Sequence, residues 1–212
     1  MPHEHPHDHA AHAPIVASHA MTPYEKRASA IESLLLAKGF ISAEAMRQKL
    51  EEIDAITPAL GTRVVARAWV DPAFKAQLLV NAKEAIATLG IETDALTTLV
   101  ALENTSTIHN VVVCTLCSCY PRALLGLPPD WYKSLNYRSR VVVGPRGVLR
   151  EFGTDIPADV EVRVYDSTAD MRYLVIPERP AGTEQLREAE LAELVTRDSM
   201  IGVAKARTPV AV

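Results

Sequence analysis

Cys114-Thr115-Leu116-Cys117-Ser118-Cys119 holds every cysteine of the 212-residue chain. Thiols at i, i+3 and i+5 cannot share a helix face, where neighbours recur at three and four. Nor can they share a strand face, where side chains repeat every two. A tight turn lets all three converge. Just upstream, Ile108, Val111, Val112 and Val113 form a β-branched run that predicts a buried strand. Downstream, Pro121 has no backbone donor and restrains the residue before it, which predicts that no helix follows at once. The hexapeptide is therefore expected on a loop at a strand end, a common mounting for chemistry on a rigid support.

Several readings compete for three thiols on one loop. Buried cysteines often act as small hydrophobes, which fits one cysteine better than three. A disulfide scaffold is disfavoured, because one bridge adds little to a chain this long and no secretory segment is recognisable ahead of it. A closed zinc site wants four nitrogen or sulfur ligands, and only His109 is near enough in sequence to be the fourth, from within the strand pattern. Iron–sulfur clusters generally take four cysteines. There remains a mononuclear transition metal held by three soft sulfurs, with its other positions filled from elsewhere.

Val113-Cys114-Thr115-Leu116-Cys117-Ser118-Cys119-Tyr120-Pro121 resembles the metal-binding claw of nitrile hydratase alpha subunits, a motif shared by the metal subunit of thiocyanate hydrolase. The likeness extends through Leu125-Gly126-Leu127-Pro128-Pro129-Asp130-Trp131-Tyr132-Lys133, Arg179-Pro180-Ala181-Gly182-Thr183-Glu184 and Thr196-Arg197-Asp198-Ser199-Met200-Ile201-Gly202. It covers residues 22 to 205.

The resemblance implies the metal ligands Cys114, Cys117, Ser118 and Cys119, with the backbone nitrogens of Ser118 and Cys119 completing a basal set. The residues it makes catalytic are Cys119, Cys117 and Ser118. It further implies a sulfinic acid at Cys117, a sulfenic acid at Cys119 and a plain thiolate at Cys114, successive rungs of cysteine oxidation. One Co(III) per chain is implied ahead of Fe(III), because Thr115 and Tyr120 match the cobalt variants. The implied partner is a beta subunit that supplies arginines to the oxidised sulfurs, in an αβ or α2β2 heteromer acting on small nitriles. Two positions depart from the pattern: Ala95 stands about where a glutamine-bearing turn is usual, and Arg122 replaces a tryptophan. Arg122 and the histidine-rich N-terminus are similar to the thiocyanate hydrolase subunit, which is the alternative reading beside a non-catalytic cobalt-carrying subunit.

Working outward, residues 1–20 carry six of the seven histidines, interleaved with Pro2, Pro6 and Pro14, and read as a disordered tail or a weak metal-capture segment. A helical N-terminal arm is expected over 21–92. Thr22 and Glu25 make a capping box with Pro23 at the first helical position, and Gly39 ends that helix. Ser42 caps a second helix, a third carries Val64, Val65 and Ala68, and a fourth runs from Asp71-Pro72 to Gly90. The resemblance places part of this arm against the partner subunit.

Residues 93–205 are expected to form an α+β metal domain, a layered α/β sandwich, and 206–212 a flexible end. Strands are predicted at Leu99–Leu102, at His109 to Val113, at Val160 to Tyr165 and at Met171 to Ile176, with a turn at 166–170 joining the last two. Trp131-Tyr132 suggests a short capped helix over the loop, with Trp131 packing rather than touching substrate. Arg138, Arg140, Arg146 and Arg150 read as a solvated face or a polar interface, and Thr183 as the cap of a last helix to Val195. His109, the only histidine beyond the tail, reads as a core residue or one that supports the site from behind, rather than as a catalytic base.

The chain is 48% hydrophobic and 23% charged, with net charge −4, which supports a globular core and gives no electrostatic case for nucleic acid. No apolar run reaches membrane-spanning length. Free cysteines without a recognisable signal peptide predict a cytoplasmic protein.

Overall fold

A computed structural model describes residues 21–93 and 97–209. Two compact units divide between Lys49 and Leu50. In the first, α1 (Pro23–Ala37) starts at the expected capping box: Glu25 N donates to Thr22 Oγ1 at 3.2 Å and Thr22 N donates to Glu25 Oε2 at 2.6 Å. Gly39 follows in the left-handed region at φ +70°, where a side chain would be strained. The Ser42 hydroxyl then accepts from Ala45 N to open α2 (Ala43–Asp54), which crosses into the second unit. No residue of α1 is buried, and Tyr24, Ile31 and Leu34 are exposed.

The second unit begins with α3 (Ala59–Val70), whose Val64, Val65 and Ala68 lie in the core. The single helix expected from Asp71 to Gly90 is two helices, α4 (Pro72–Val80) and α5 (Ala82–Ala87). Asn81 interrupts them because its side chain accepts from Glu84 N, and this local bond competes with helix continuation. Asp71 caps α4 through Phe74 N, a bond that holds its carboxyl below the usual carboxylate range.

Four strands make two parallel pairs. β1 (Thr98–Glu103) runs beside β4 (Met171–Ile176), with Val100 opposite Tyr173. β2 (Ile108–Val113) runs beside β3 (Glu161–Asp166), with Val113 opposite Asp166. The strand positions agree with the alternation, but the turn at 166–170 does not make β3 and β4 partners, since each pairs with an earlier strand. Between β2 and β3 in sequence lie α6 (Arg122–Leu125), α7 (Asp130–Lys133), α8 (Leu135–Val143) and α9 (Pro145–Glu151). α6 starts directly after Pro121, against expectation, because proline restrains the residue before it and leaves the following turn free to coil.

The last helical stretch also differs. Thr183 caps nothing; it is fully buried, and its hydroxyl donates to Pro180 O. α10 (Glu188–Leu194) starts later, and Thr196 caps a further helix, α11 (Arg197–Ile201), that ends at Gly202. The core spans α3, α4 and α5, both strand pairs and α11, the α+β architecture expected.

Candidate metal centre

β2 ends at Val113, and the chain turns at once. Its last five residues are all buried, and Cys114, 1% exposed, continues that burial. Cys119 is half-buried, Cys117 exposed, and Leu116 at the loop tip is 86% exposed. The three sulfurs lie within 4.8 Å of one another, with Cys114 and Cys117 Sγ 3.3 Å apart and Cys117 and Cys119 Sγ 3.1 Å apart. Cys117 N donates to Cys114 Sγ at 3.3 Å. Thiol hydrogen bonds from Cys119 and Cys114 pull the Cys117 thiol down to about 7, whereas burial and then its bond to Cys117 push Cys119 up to about 12.

Bonds from distant parts of the chain hold this loop. Asp166, placed beside Val113 by the β2–β3 register, accepts from Thr115 N at 2.9 Å and from Thr115 Oγ1 at 2.6 Å. Arg138 of α8 donates from Nε and from an η nitrogen, at 3.2 and 2.6 Å, to Thr115 O. Tyr132 donates to Cys119 O at 2.9 Å, and Tyr137 donates to Val112 O at 2.7 Å. Both phenols belong to an aromatic cluster in which Trp131 lies 4.9 Å from Tyr137 and 4.7 Å from Phe152, edge to face. Burial raises the Tyr132 and Tyr137 phenols, so both stay neutral donors.

A cavity of about 470 Å³ opens over the loop, lined among others by Cys117, Ser118, Cys119, Leu99, Pro121 and Leu124. The donor set fits a soft transition metal: three sulfurs lie within 4.8 Å of one another, with backbone N–H groups of the same loop beside them. It does not fit a closed zinc site drawing on His109, because both ring nitrogens of that residue are engaged. His109 Nε2 donates to Gly202 O at 2.8 Å, which leaves Nδ1 to accept from Asn104 Nδ2 at 3.2 Å.

Comparison with known proteins agrees with this geometry. The family profile described as "Nitrile hydratase, alpha chain" matches residues 22–204. The chain belongs to the nitrile hydratase alpha-chain family. It is 54% identical over 190 residues to the high-molecular-weight cobalt-containing nitrile hydratase subunit alpha of Rhodococcus rhodochrous, covering 89% of this chain and 94% of that one. It is 42% identical over 203 residues to the thiocyanate hydrolase subunit gamma of Thiobacillus thioparus, covering 91% and 83%. Among solved structures, an Fe-type nitrile hydratase from Comamonas testosteroni Ni1 superposes with a TM-score of 0.82 at 42% identity, covering 88% of this chain and 91% of that one.

Within this alpha-chain fold the three cysteines and Ser118 share one loop, and Cys117, Ser118 and Cys119 line one cavity while Cys114 is buried behind them. Arg122 joins them on the cavity wall, whereas Trp131 packs into the aromatic cluster. Ala95 and the histidines of the tail lie outside the described residues. Asp166, Arg138 and Tyr132, which hold the loop, carry no sign of that role in the sequence. Arg138 stands with Arg140, Arg146 and Arg150 in the run expected as a solvated face or a polar interface. Of those, Arg140 pairs with Glu151, and Arg146 donates to the carbonyls of Ile156, Pro157 and Val160. No local pattern marks a side chain whose partner lies 23 or 51 residues away.

Proposed function

We propose that this chain is the metal-binding alpha subunit of a cobalt nitrile hydratase, converting nitriles and water to amides together with a beta-type partner. The observation that carries the reading is the convergence of three sulfurs on a loop that Asp166, Arg138 and Tyr132 hold from outside. In this reading the sulfurs of Cys114, Cys117 and Cys119 and the backbone nitrogens of Ser118 and Cys119 hold one Co(III), in preference to Fe(III). When bound, the trivalent ion supplies Lewis acidity, which polarises a nitrile or acidifies water at neutral pH.

The chain's own residues do the rest. Cys114 anchors the claw from the end of β2, while Cys117 and Cys119 face the cavity. The Asp166–Thr115–Arg138 clamp keeps the loop from opening when its thiols are deprotonated. Leu99, Pro121, Ala123 and Leu124 give an apolar wall for the substrate's carbon chain, so its C≡N end is left to point at the sulfurs. Cys117 is assigned the sulfinic and Cys119 the sulfenic state, and their oxygens call for charge-assisted partners from the beta subunit's arginines.

The division of labour follows the sequence: residues 1–20 a tail, 21–92 a partner-facing arm, 93–205 the metal domain and 206–212 the end. Helices α3, α4 and α5 of the arm are also built into the core. The exposed apolar side chains Ile31 and Leu34 of α1 suit a heteromeric contact. No helix among the described residues is long and apolar enough to cross a membrane. A cytoplasmic location suits three free cysteines.

Coexpression with the beta-type partner, followed by metal analysis and mass spectrometry of the tryptic peptide ending at Arg122, tests the assignment. Cobalt near one per chain, two oxygens on Cys117, one on Cys119 and amide formation from acetonitrile are expected. Unmodified thiols in a metal-loaded, inactive assembly would instead identify a cobalt carrier. Arg122 on the cavity wall favours a second reading, a thiocyanate hydrolase subunit, and turnover of thiocyanate with none of any nitrile would establish it.

A further inference from the structure

The cavity over the claw has an uneven charge. Among its described lining residues are two arginines, Arg122 and Arg172, and no carboxylate. They are held differently. Arg172 sits at the start of β4, and one of its η nitrogens donates to the carbonyls of Thr168, Ala169 and Met171, so its guanidinium is fixed at the rim. Arg122 opens α6, three residues past Cys119, and is exposed, with no side-chain hydrogen bond or ion pair to the described residues. A fixed cation and an adjustable one thus flank a cavity whose remaining wall joins the apolar Leu99, Pro121, Ala123 and Leu124 to Thr93, Thr97 and the claw. Guanidinium groups in that setting match a carboxylate, which one of them can grip with two parallel N–H bonds.

We propose that Arg122 and Arg172 select substrates that carry a carboxylate a short carbon chain away from the C≡N group, small cyano-carboxylates rather than simple alkyl nitriles. The inference rests on the nitrile-hydration reading and deepens it by naming the substrate class. The carboxylate docks on Arg122 with Arg172 behind it, the carbon chain crosses Leu99 and Leu124, and the nitrile reaches the cysteine end of the cavity. Both arginines act as specificity determinants, through the end of the substrate that does not react. An arginine that served only to seat the partner subunit would affect charged and neutral nitriles alike.

The test compares kcat/KM for cyanoacetate and 3-cyanopropanoate against acetonitrile and propionitrile on the coexpressed, cobalt-loaded complex. The anionic nitriles are expected to be preferred, and the preference is expected to shrink as salt is raised from about 0.02 to about 0.5 M. Arg122→Gln should lower the anionic-to-neutral ratio roughly tenfold, the size of one lost charge-assisted contact, and act mainly through KM. Arg122→Lys should restore part of it, and Arg172→Gln should lower the ratio further. Neutral nitriles turned over as well as anionic ones, or an Arg122→Gln complex with an unchanged ratio, would overturn the proposal and leave nitrile hydration standing. Failure of every nitrile, neutral and anionic, would remove the underlying reading instead.

Discussion

The two ends of β2 are built from similar materials and finish in opposite states. At its start, Asn104 Oδ1 accepts from Asn110 N at 2.7 Å and from Asn110 Nδ2 at 2.9 Å, and His109 bridges Asn104 to Gly202 O. Every strong polar group there answers another inside the protein, and the residues are buried. At its finish, three sulfurs face one another, and Cys117 and Cys119 also line a cavity. Asn104 and His109 also line a cavity, of about 480 Å³, but their hydrogen-bonding groups are spent on internal partners, whereas the sulfurs have donor capacity left over and can take a ligand. Internal satisfaction, rather than polarity or burial alone, separates a structural cluster from a site.

The comparison breaks most visibly at Gly202. It lies at φ +91°, and a Cβ there would sit 1.9 Å from Asn110 O, with backbone on both sides of the clash. Gly202→Ala should therefore cost more than about 3 kcal/mol or abolish soluble expression, read by chemical denaturation. At the other end, Cys117→Ala removes an exposed side chain. Stability of the metal-free chain should change by less than about 0.5 kcal/mol, while cobalt affinity falls on the order of a hundredfold, read by denaturation and elemental analysis. A large loss of stability from Cys117→Ala would contradict the division between the two ends.

A smaller effect sharpens the claw side. Asp166→Ala frees Thr115 N and Oγ1, and metal affinity is expected to drop about tenfold with the far-UV circular dichroism unchanged, because supporting contacts orient ligands without binding the ion. The smallest effect concerns acid. Burial pushes His109 below the usual imidazole value of 6.5, aided by the positive charges of Lys205 and Arg146 and opposed by its bond to Gly202. The folded state thus binds fewer protons than the unfolded chain. Its contribution to stability is complete above the unfolded value and is lost as pH falls through 6.5 toward the lowered folded value. Below about pH 6.5 the unfolding free energy should fall, by at most about 1.4 kcal/mol per pH unit for this one proton, and His109→Gln should flatten that slope.

Much of the site was legible because it is local. Six consecutive residues carry all three thiols, the β-branched run before them becomes β2, and the spacing excludes a shared helix or strand face. Thr22 with Glu25 and Ser42 with Ala45 cap their helices, since capping needs partners only three residues apart. The misreadings share another cause. Asn81 splits a helix because its side chain is a better cap than its backbone is a link, and a continuous apolar stripe conceals that competition. The turn expected between β3 and β4 leaves their partners open: both pair in parallel with earlier strands that no turn residue specifies.

The amino-acid order by itself fixed the sulfur loop, the strand that carries it and the helix starts, because each depends on neighbours a few residues apart. The tertiary structure alone decided that Asp166 and Arg138 clamp Thr115, that His109 is spent on Gly202, and that Arg122 and Arg172 share one cavity. Those partners are 51, 23, 93 and 50 residues apart in the chain, a separation closed only when parallel strand pairing and core packing bring the segments together.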